Sequence, residues 1–232
     1  MREQCPILVL LPGMDGTGEL FHEVRHYFDS DIETIVIDYP RNQKLSYLEL
    51  ENLVRAQLPE QRRFVLLGES FSGPIAISLA SQNLTQLCGL IICASFCRNP
   101  QPLLSPFYSC IDYISPRLIP RLVLERIMFG NRGCQQQSEN FFKSLYSVSP
   151  AVIQYRCKQV LKLNYVDKLK SIAVPVLYLQ GEHDNLVTAR YGKEFTQTIQ
   201  NLKIHTFPTA HMLLQTEPES AAKVISQFVR EC

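Results

Sequence analysis

The sequence predicts an α/β fold in which a mostly parallel sheet of about six strands carries helices on both faces. Six short apolar runs are continuous rather than alternating, as expected for strands buried on both sides. Amphipathic helical patterns lie between these runs, and such alternation of strand and helix is typical of a parallel sheet. The 232 residues, 46% of them apolar, suffice for one compact domain or for a domain with an insertion.

The predicted elements follow one another in a regular order along the chain. Strands are expected at 6–11, 34–38, 64–69, 89–95, 175–180 and 203–207. Helices are expected at about 17–28, 46–57, 71–82, 188–200 and 217–230. Because ligands of such sheets bind where strands end and loops begin, the candidate chemistry should lie just after the strands.

The interval between the fourth and fifth strands departs from this alternation. It is helical in pattern, punctuated by prolines, and holds nine of the 22 aromatic residues of the protein. A single crossover needs far fewer residues. We therefore predict a helical cap at 99–170, called the insertion below, within a core domain formed by 1–98 and 171–232.

Composition and charge exclude several classes of protein. The net charge of +1 gives no indication of a nucleic-acid partner, and the longest mostly apolar run, 87–97, is too short to span a bilayer. The N-terminus has no small-residue cleavage site. The eight cysteines are scattered, and Cys93 and Cys97 lack a second pair at zinc-ligand spacing, so free thiols are expected. His22 and His26 have the pattern of a helix surface rather than of a metal site. A soluble cytoplasmic protein is predicted.

The stretch "LLGESFSGP" (67–75) places a serine where a buried strand must turn into an apolar helix. A nucleophilic serine needs such a sharp turn, with small residues two positions before and after it, because strand and helix crowd together there. Gly68 fits this G-x-S-x-G pattern, and Ser72 departs from it with a residue that is still small. Ser70 is therefore the predicted nucleophile.

A serine hydroxyl needs a base to take its proton and an acid to orient that base. This architecture requires the order Ser, then Asp or Glu, then His. Asp184 follows the fifth strand in "GEHDNLV", and His211 follows the sixth in "PTAHMLL". We predict a triad of Ser70, Asp184 and His211.

Simpler roles exist for the same residues. Asp184 could merely cap the helix that follows it, and His211 could be an ordinary loop histidine. His183 is a less suitable base because it adjoins the acid in one turn. His205 lies within a predicted strand, where a packed or surface side chain is expected.

Acyl transfer also needs N–H donors directed at the developing oxyanion. The backbone N–H of Phe71, directly after the nucleophile, is one predicted donor. The other is the N–H of Met14 in "LPGMDGTG" (11–18), a loop whose glycines permit close approach of the backbone. A phosphate-binding loop is the alternative, but neither G-K-[ST] nor G-x-G-x-x-G is present. Asp15 is expected to serve as a turn or helix-cap residue.

These segments together resemble the α/β-hydrolase superfamily over essentially the whole chain. "LPGMDGTG" is similar to its oxyanion loop, "GESFSG" to its nucleophile elbow, "GEHD" to its acid turn and Ala210-His211 to its histidine loop, and the insertion resembles its helical lid. Two departures are Pro12-Gly13, where many members have His-Gly, and a start on what resembles the third strand of the family. The resemblance implies hydrolysis of an ester, thioester or amide through an acyl-serine intermediate, without a metal or cofactor.

Charge is divided unevenly along the chain and suggests a partner. Residues 98–170 carry 11 basic and 4 acidic residues, a balance of +7, whereas the remainder carries 12 and 18, a balance of −6. The predicted substrate- or carrier-binding residues, which suggest an apolar acyl channel under a basic rim, are Arg117, Arg121, Arg126, Phe107 and Tyr113. Such a rim would attract an acidic partner such as acyl carrier protein. The alternative is a solvated helix face that balances the acidic core.

Within the superfamily, a lidded cytosolic hydrolase with arginines in its cap resembles the carboxylesterases of biotin synthesis, which demethylate pimeloyl-[acyl-carrier protein] methyl ester. The resemblance implies the same activity here. The alternatives are a generic carboxylesterase, an acyl thioesterase, a lysophospholipase or an acyltransferase. A non-catalytic binding protein with the hydrolase fold is a further alternative.

Overall fold

A parallel sheet of six strands forms the centre of the computed structural model, which describes residues 4–113 and 115–232, without the side chains of Phe107 and Pro116. The strands are β1 (Ile7–Leu11), β2 (Thr34–Val36), β3 (Phe64–Glu69), β4 (Leu87–Cys93), β5 (Val176–Gly181) and β6 (Leu202–Phe207). Their order across the sheet is β2-β1-β3-β4-β5-β6, and every neighbouring pair is parallel. The predicted fold class is confirmed.

Helices connect the strands. They are α1 (His22–His26), α2 (Tyr47–Arg55), α3 (Gly73–Ala80), α4 (Arg121–Phe129), α5 (Gln135–Tyr146), α6 (Pro150–Leu161), α7 (Arg190–Thr198), α8 (Leu213–Thr216) and α9 (Pro218–Glu231). The helix predicted from residue 17 begins only at His22, after a 3₁₀ turn at Glu19–Phe21, because Gly16 and Gly18 hold φ near 68° and 69°.

The hydrophobic core has two layers, one on each face of the sheet. In β1, Val9 and Leu11 face a cluster that includes Leu50 of α2 and Ile75 of α3. The alternate residues of the strand face a second cluster, which is completed by side chains of α1 and α9. All five residues of β1 are buried, as its continuous apolar sequence predicts.

Between β4 and β5 the chain is helical. Besides α4, α5 and α6, this interval contains 3₁₀ segments at Pro102–Tyr113, Pro116–Leu118 and Val166–Ser171. Its two ends are joined, because the N–H of Asn99 donates to Leu163 and the N–H of Tyr165 donates to Cys97. A separate cluster of aromatic and aliphatic side chains, among them Phe129 and Phe142, reaches Met212 after β6. The division into a core domain and a cap, with residues 99–170 as the cap, remains a prediction.

Within residues 4–113 and 115–232, no helix has the length and apolar character needed to cross a membrane.

Candidate active site

Three polar side chains meet at the edge of the sheet where the parallel strands end. Ser70 directly follows β3, Asp184 lies three residues after β5, and His211 lies four residues after β6. The Ser70 Oγ lies 2.8 Å from the His211 Nε2, and the His211 Nδ1 lies 2.7 Å from the Asp184 Oδ2. The structure therefore links the three predicted residues in one hydrogen-bonded row.

The turn at Ser70 is as sharp as the sequence suggests. Ser70 has φ 47°, in the left-handed region that a non-glycine residue occupies only under constraint. A Cβ added to Gly68 would lie 2.7 Å from the carbonyl oxygen of Ser72 and 2.8 Å from the Cβ of Ala76. The crossing of β3 and the start of α3 thus leaves no room for a side chain at position 68.

Ser72, which departs from the usual glycine, is fully buried and hydrogen-bonded. Its hydroxyl donates to the carbonyl of Pro12 and lies 2.6 Å from the hydroxyl of Tyr39. The serine is tolerated at this buried position because its hydroxyl is hydrogen-bonded within the protein. The bond to Pro12 also connects the turn to the glycine-rich loop after β1.

The two carboxylate oxygens of Asp184 have different hydrogen-bond partners. Its Oδ1 accepts the N–H groups of Leu186 and Val187, each at 2.8 Å, which fixes the carboxylate within its own turn. Its Oδ2 is left to accept from the imidazole of His211. The side chains of this histidine and aspartate are 3% and 1% exposed, so their interaction is shielded from water. Asp184 is not the N-cap of α7, since Ala189 holds that position.

The imidazole of His211 is buried beside a carboxylate. Burial by itself lowers its pKa, but the charge of Asp184, the hydrogen bond to it and the charge of Glu69 together raise the pKa by more, so the net shift is upward. Of the other histidines weighed from the sequence, His183 is exposed and His205 lies in β6 with its ring 4.6 Å from that of Phe207.

The glycine-rich loop after β1 lies beside the nucleophile. A Cβ added to Gly13 would be 3.9 Å from the Cβ of Ser70. Among the hydrogen bonds of the described residues, none has the N–H of Met14 as its donor. Phe71 is buried at the start of the helical turn, with its ring stacked 4.8 Å from that of Tyr47. Both predicted oxyanion donors thus belong to backbone that flanks Ser70.

Two buried ionisable groups next to this site, Glu69 and Arg156, were not predicted. Glu69, directly before the nucleophile, accepts from the Nε2 of Gln215 at 3.1 Å, and burial raises its pKa to about 7. Arg156 of α6 is 2% exposed and donates to the glycine-rich loop. The burial of Glu69 could have been inferred from the sequence, because this glutamate ends the apolar run "FVLLGE". Nothing in the helical pattern of α6 distinguishes Arg156.

Asp15, expected in a turn, caps its own loop. Its Oδ2 accepts from the N–H of Thr17 at 2.9 Å and from the hydroxyl of Ser144 of α5 at 2.8 Å. Among the described residues no group of three or more histidine, cysteine, aspartate or glutamate side chains is arranged to hold a metal ion.

The residues predicted to contact substrate or carrier lie in the helical interval between β4 and β5. Arg117 donates to the carbonyl of Tyr146 at 3.0 Å, and the guanidinium of Arg121 lies 4.2 Å from the ring centroid of Phe142. Tyr113 is 88% exposed. The remaining predicted aromatic residue, Phe107, has its side chain outside the described part of the structure.

Arg126, the third predicted arginine, is exposed and borders two surface cavities. One, of about 620 Å³, lies between α4 and α5; the other, of about 510 Å³, extends to His183 and Ala210. The second cavity therefore reaches both turns that carry Asp184 and His211. Ser70 lines neither of these two cavities.

The fold and family features define the class: the protein is a serine hydrolase of the α/β-hydrolase type. The family model described as "Serine aminopeptidase, S33" matches residues 47–219, and the chain belongs to this family. The resemblance to the α/β-hydrolase superfamily is thereby confirmed.

Individual relatives are distant but cover nearly the whole chain. Pimeloyl-[acyl-carrier protein] methyl ester esterase of Vibrio atlanticus is 21% identical, over 98% of this chain and 96% of its own. (R)-3-hydroxydecanoyl-ACP:CoA transacylase of Pseudomonas aeruginosa is 22% identical, over 92% of this chain and 77% of its own. An esterase structure from Exiguobacterium antarcticum superposes with a TM-score of 0.85 at 16% identity, over 98% of this chain and 93% of its own, which is a likeness of fold.

Proposed function

We propose that the protein is a carboxylic-ester hydrolase in which Ser70 is the nucleophile, His211 the general base and Asp184 the residue that orients the base. The observation that carries this proposal is the row of two hydrogen bonds, 2.8 Å and 2.7 Å long, from the hydroxyl of Ser70 through His211 to Asp184. This is the geometry by which a buried carboxylate holds an imidazole in the tautomer that accepts a proton at Nε2.

In the acylation step, His211 Nε2 takes the proton of Ser70 Oγ as the oxygen attacks the ester carbonyl. The tetrahedral oxyanion accepts hydrogen bonds from the N–H groups of Met14 and Phe71. The protonated His211, stabilised by Asp184, then gives its proton to the leaving alcohol, and the acyl group stays on Ser70.

Deacylation repeats these steps with water. His211 Nε2 takes a proton from a water molecule, whose oxygen attacks the acyl-serine carbonyl, and the proton passes to Ser70 Oγ as the carboxylic acid leaves. Because the base must be neutral, activity is expected to fall as the pH drops through a pKa that lies above the usual range for histidine.

For the substrate, we propose an acyl group presented on acyl carrier protein, with pimeloyl-[acyl-carrier protein] methyl ester as the first compound to test. Two facts support it: residues 98–170 carry a balance of +7, and one curated relative bears this activity in its name. Arg126 and the exposed Arg117 and Arg121 are the proposed contacts to the acidic carrier. Such a substrate would place the protein in the cytoplasm.

Acyl transfer is the second candidate. It is favoured by the relative named as an acyl-carrier-protein:CoA transacylase. Transfer requires only that a thiol or alcohol replace water in deacylation. A competition assay decides between the two: with CoA present, acyl-CoA should accumulate if transfer dominates, whereas free acid should remain the product if hydrolysis does.

Replacement of Ser70 tests the proposed mechanism. We expect Ser70→Ala to lower the hydrolysis of p-nitrophenyl butyrate roughly 10³-fold or more, because the acyl-enzyme can no longer form. The same loss is expected with pimeloyl-[acyl-carrier protein] methyl ester. Ser81→Ala, outside the site, is the matched control and should retain the wild-type rate.

Two results would contradict this scheme. Undiminished turnover by Ser70→Ala would show that the nucleophile is another group. A wild-type protein that hydrolyses neither ester, yet binds acyl carrier protein, would instead favour a binding role.

A further inference from the structure

Arg156 of α6 occupies an unusual environment for a guanidinium group. It is 2% exposed, and it is the only lysine or arginine among the buried residues of the described chain. Within that chain no carboxylate oxygen pairs with it at 4.0 Å or less. Burial lowers the pKa of Arg156, and the charge of nearby Asp15 offsets only part of this effect, so the contacts of the guanidinium need a reason other than packing.

Arg156 donates to backbone carbonyls of the glycine-rich loop and of the segment that follows β2. Its Nη1 donates to the carbonyl oxygens of Met14 at 2.9 Å and Asp15 at 2.8 Å, and its Nη2 donates to that of Pro40 at 3.3 Å. These partners lie 116 to 142 residues away in sequence. The guanidinium therefore joins α6 of the insertion to the loop that flanks Ser70.

The loop is shaped around this guanidinium. Gly16 has φ 68°, and a Cβ added there would lie 2.5 Å from the Nη1 of Arg156. The Cζ of Arg156 lies 5.6 Å from the ring centroid of Tyr39 and 5.8 Å from that of Phe71. The guanidinium of Arg156 therefore lies against the glycine-rich loop and near the rings of Tyr39 and Phe71, the residue after the proposed nucleophile.

The remaining groups of the loop are held as well. The carbonyl of Pro12 accepts from Ser72, and the carboxylate of Asp15 accepts from Ser144 of α5. Arg156 fixes the carbonyls of Met14 and Asp15, so each of the two successive peptides, 14–15 and 15–16, loses an acceptor contact if it rotates. The N–H of Met14 belongs to the preceding peptide, whose Gly13 carbonyl accepts from the N–H of Gly16 at 3.1 Å. This peptide is therefore held between that turn and the carbonyls fixed by Arg156, and its N–H donates to no partner in the described chain.

We propose that Arg156 is a positioning residue that sets the oxyanion-binding conformation of the Met14 loop from within the insertion. The proposal rests on the proposed function, because the direction of the Met14 N–H matters only if an oxyanion forms at Ser70. The packing of α6 against the core and the oxyanion-binding conformation of the Met14 loop are then coupled, because both depend on the side chain of Arg156.

The kinetic test uses Arg156→Met, which keeps the length of the side chain and removes its donors. We expect kcat for p-nitrophenyl butyrate to fall 10²- to 10³-fold, the loss typical of one misdirected oxyanion donor, with KM changed less than threefold. The Ki of a trifluoromethyl ketone, which forms a tetrahedral adduct with an active-site serine, should rise by the same factor as kcat falls. The pH at which activity rises should stay in place, since His211 is untouched.

Two further variants keep the test decisive. Arg156→Lys places one compact charge where a planar group bridged two carbonyls, so we expect an intermediate loss of kcat. It carries the test if Arg156→Met does not fold. Lys158→Met, on the same helix and paired with Asp112, is the matched control and should retain wild-type kcat.

A second readout does not depend on activity. Hydrogen exchange at the backbone amides of residues 13–18 should quicken at least tenfold in Arg156→Met while exchange in β3 stays unchanged. Unchanged exchange in that segment, or a kcat within twofold of wild type, would overturn the proposal. A matching fall in kcat without any rise in the Ki of the ketone would overturn it too.

These results are separable from failure of the proposed function. If Ser70→Ala leaves the esterase rate unchanged, the acyl-serine scheme fails whatever Arg156 does. If Ser70→Ala abolishes the rate and Arg156→Met retains it, only the role of Arg156 is wrong.

Discussion

Glu69 is an acidic group buried directly beside the proposed nucleophile, and its ionisation should be visible in stability. Its pKa is raised from 4.5 to about 7 by burial, against the hydrogen bond from Gln215. Between these two values the folded protein keeps a proton that the unfolded chain has lost. The free energy of unfolding therefore decreases by about 3 kcal/mol as the pH rises from 4.5 through 7, and the loss persists at higher pH.

Glu69→Gln should remove this contribution. The amide cannot ionise, so we expect the variant to gain stability relative to wild type between pH 4.5 and pH 8, by about 2 to 3 kcal/mol. Urea unfolding of both proteins at the two pH values measures the difference. Glu60→Gln, at an exposed glutamate, is the control. Parallel pH dependence of Glu69→Gln and wild type would show that Glu69 is not held protonated.

At the scale of single residues, the sequence was informative where function depends on local position. The proximity of Ser70, Asp184 and His211 could be predicted because each follows a strand end, and strand ends in a parallel sheet share one edge; their catalytic roles stay a prediction. The buried contacts of Arg156 could not be predicted, because they join it to Met14 and Asp15, more than 140 residues away in sequence. No periodicity within α6 reveals which of its basic residues turns inward.

At the scale of elements, the first residue of α3, Gly73, packs against Ser95, which lies just after the end of β4. A Cβ added to Gly73 would lie 1.9 Å from the Oγ and 2.5 Å from the Cβ of Ser95, which directly follows the turn after β4. The hydroxyl of Ser95 also donates to the carbonyl of Ser70. Ser95 thus packs against the nucleophile elbow at both Ser70 and Gly73.

Gly73→Ala should therefore overpack this junction. We expect a loss of about 1 to 3 kcal/mol in the free energy of unfolding and a lower esterase rate, because Ser70 would have to move. Chemical denaturation measures the first effect. Combination with Ser95→Gly, which removes both clashing atoms, should recover part of the stability; additive losses in the double variant would argue against the clash.

The boundaries of elements were harder to predict than their existence. The strand expected at 89–95 is observed at Leu87–Cys93, where it ends because Ala94 turns into the left-handed region with φ 44°. Apolar sequence continues past that point and gives no indication of the turn. The strand expected at 34–38 ends at Val36, at the outer edge of the sheet, where only one neighbour supports it.

At the scale of the whole molecule, charge is concentrated in the insertion. If this charge attracts an acidic carrier, Arg126→Glu should lower kcat/KM for the carrier-linked ester on the order of tenfold at low salt, and added salt should reduce the difference. Hydrolysis of p-nitrophenyl butyrate should change less than twofold. Steady-state kinetics on both substrates measures this.

Lys44→Glu, an equal change of charge on the core, is the matched control for this comparison. An equal effect of Lys44→Glu and Arg126→Glu would indicate attraction to overall charge rather than to the insertion. An equal loss on both substrates would place Arg126 in the chemistry and not at a carrier contact.

The joined ends of the insertion have an evolutionary corollary. The backbone hydrogen bonds from Asn99 to Leu163 and from Tyr165 to Cys97 bring the entry and exit of about seventy residues to the same place above the sheet. Genetic exchange at these two positions could replace the intervening helices while the strands beneath keep their register. Proteins that share the same sheet could acquire different substrates in this way, provided that each new segment contacts the glycine-rich loop as Arg156 does here.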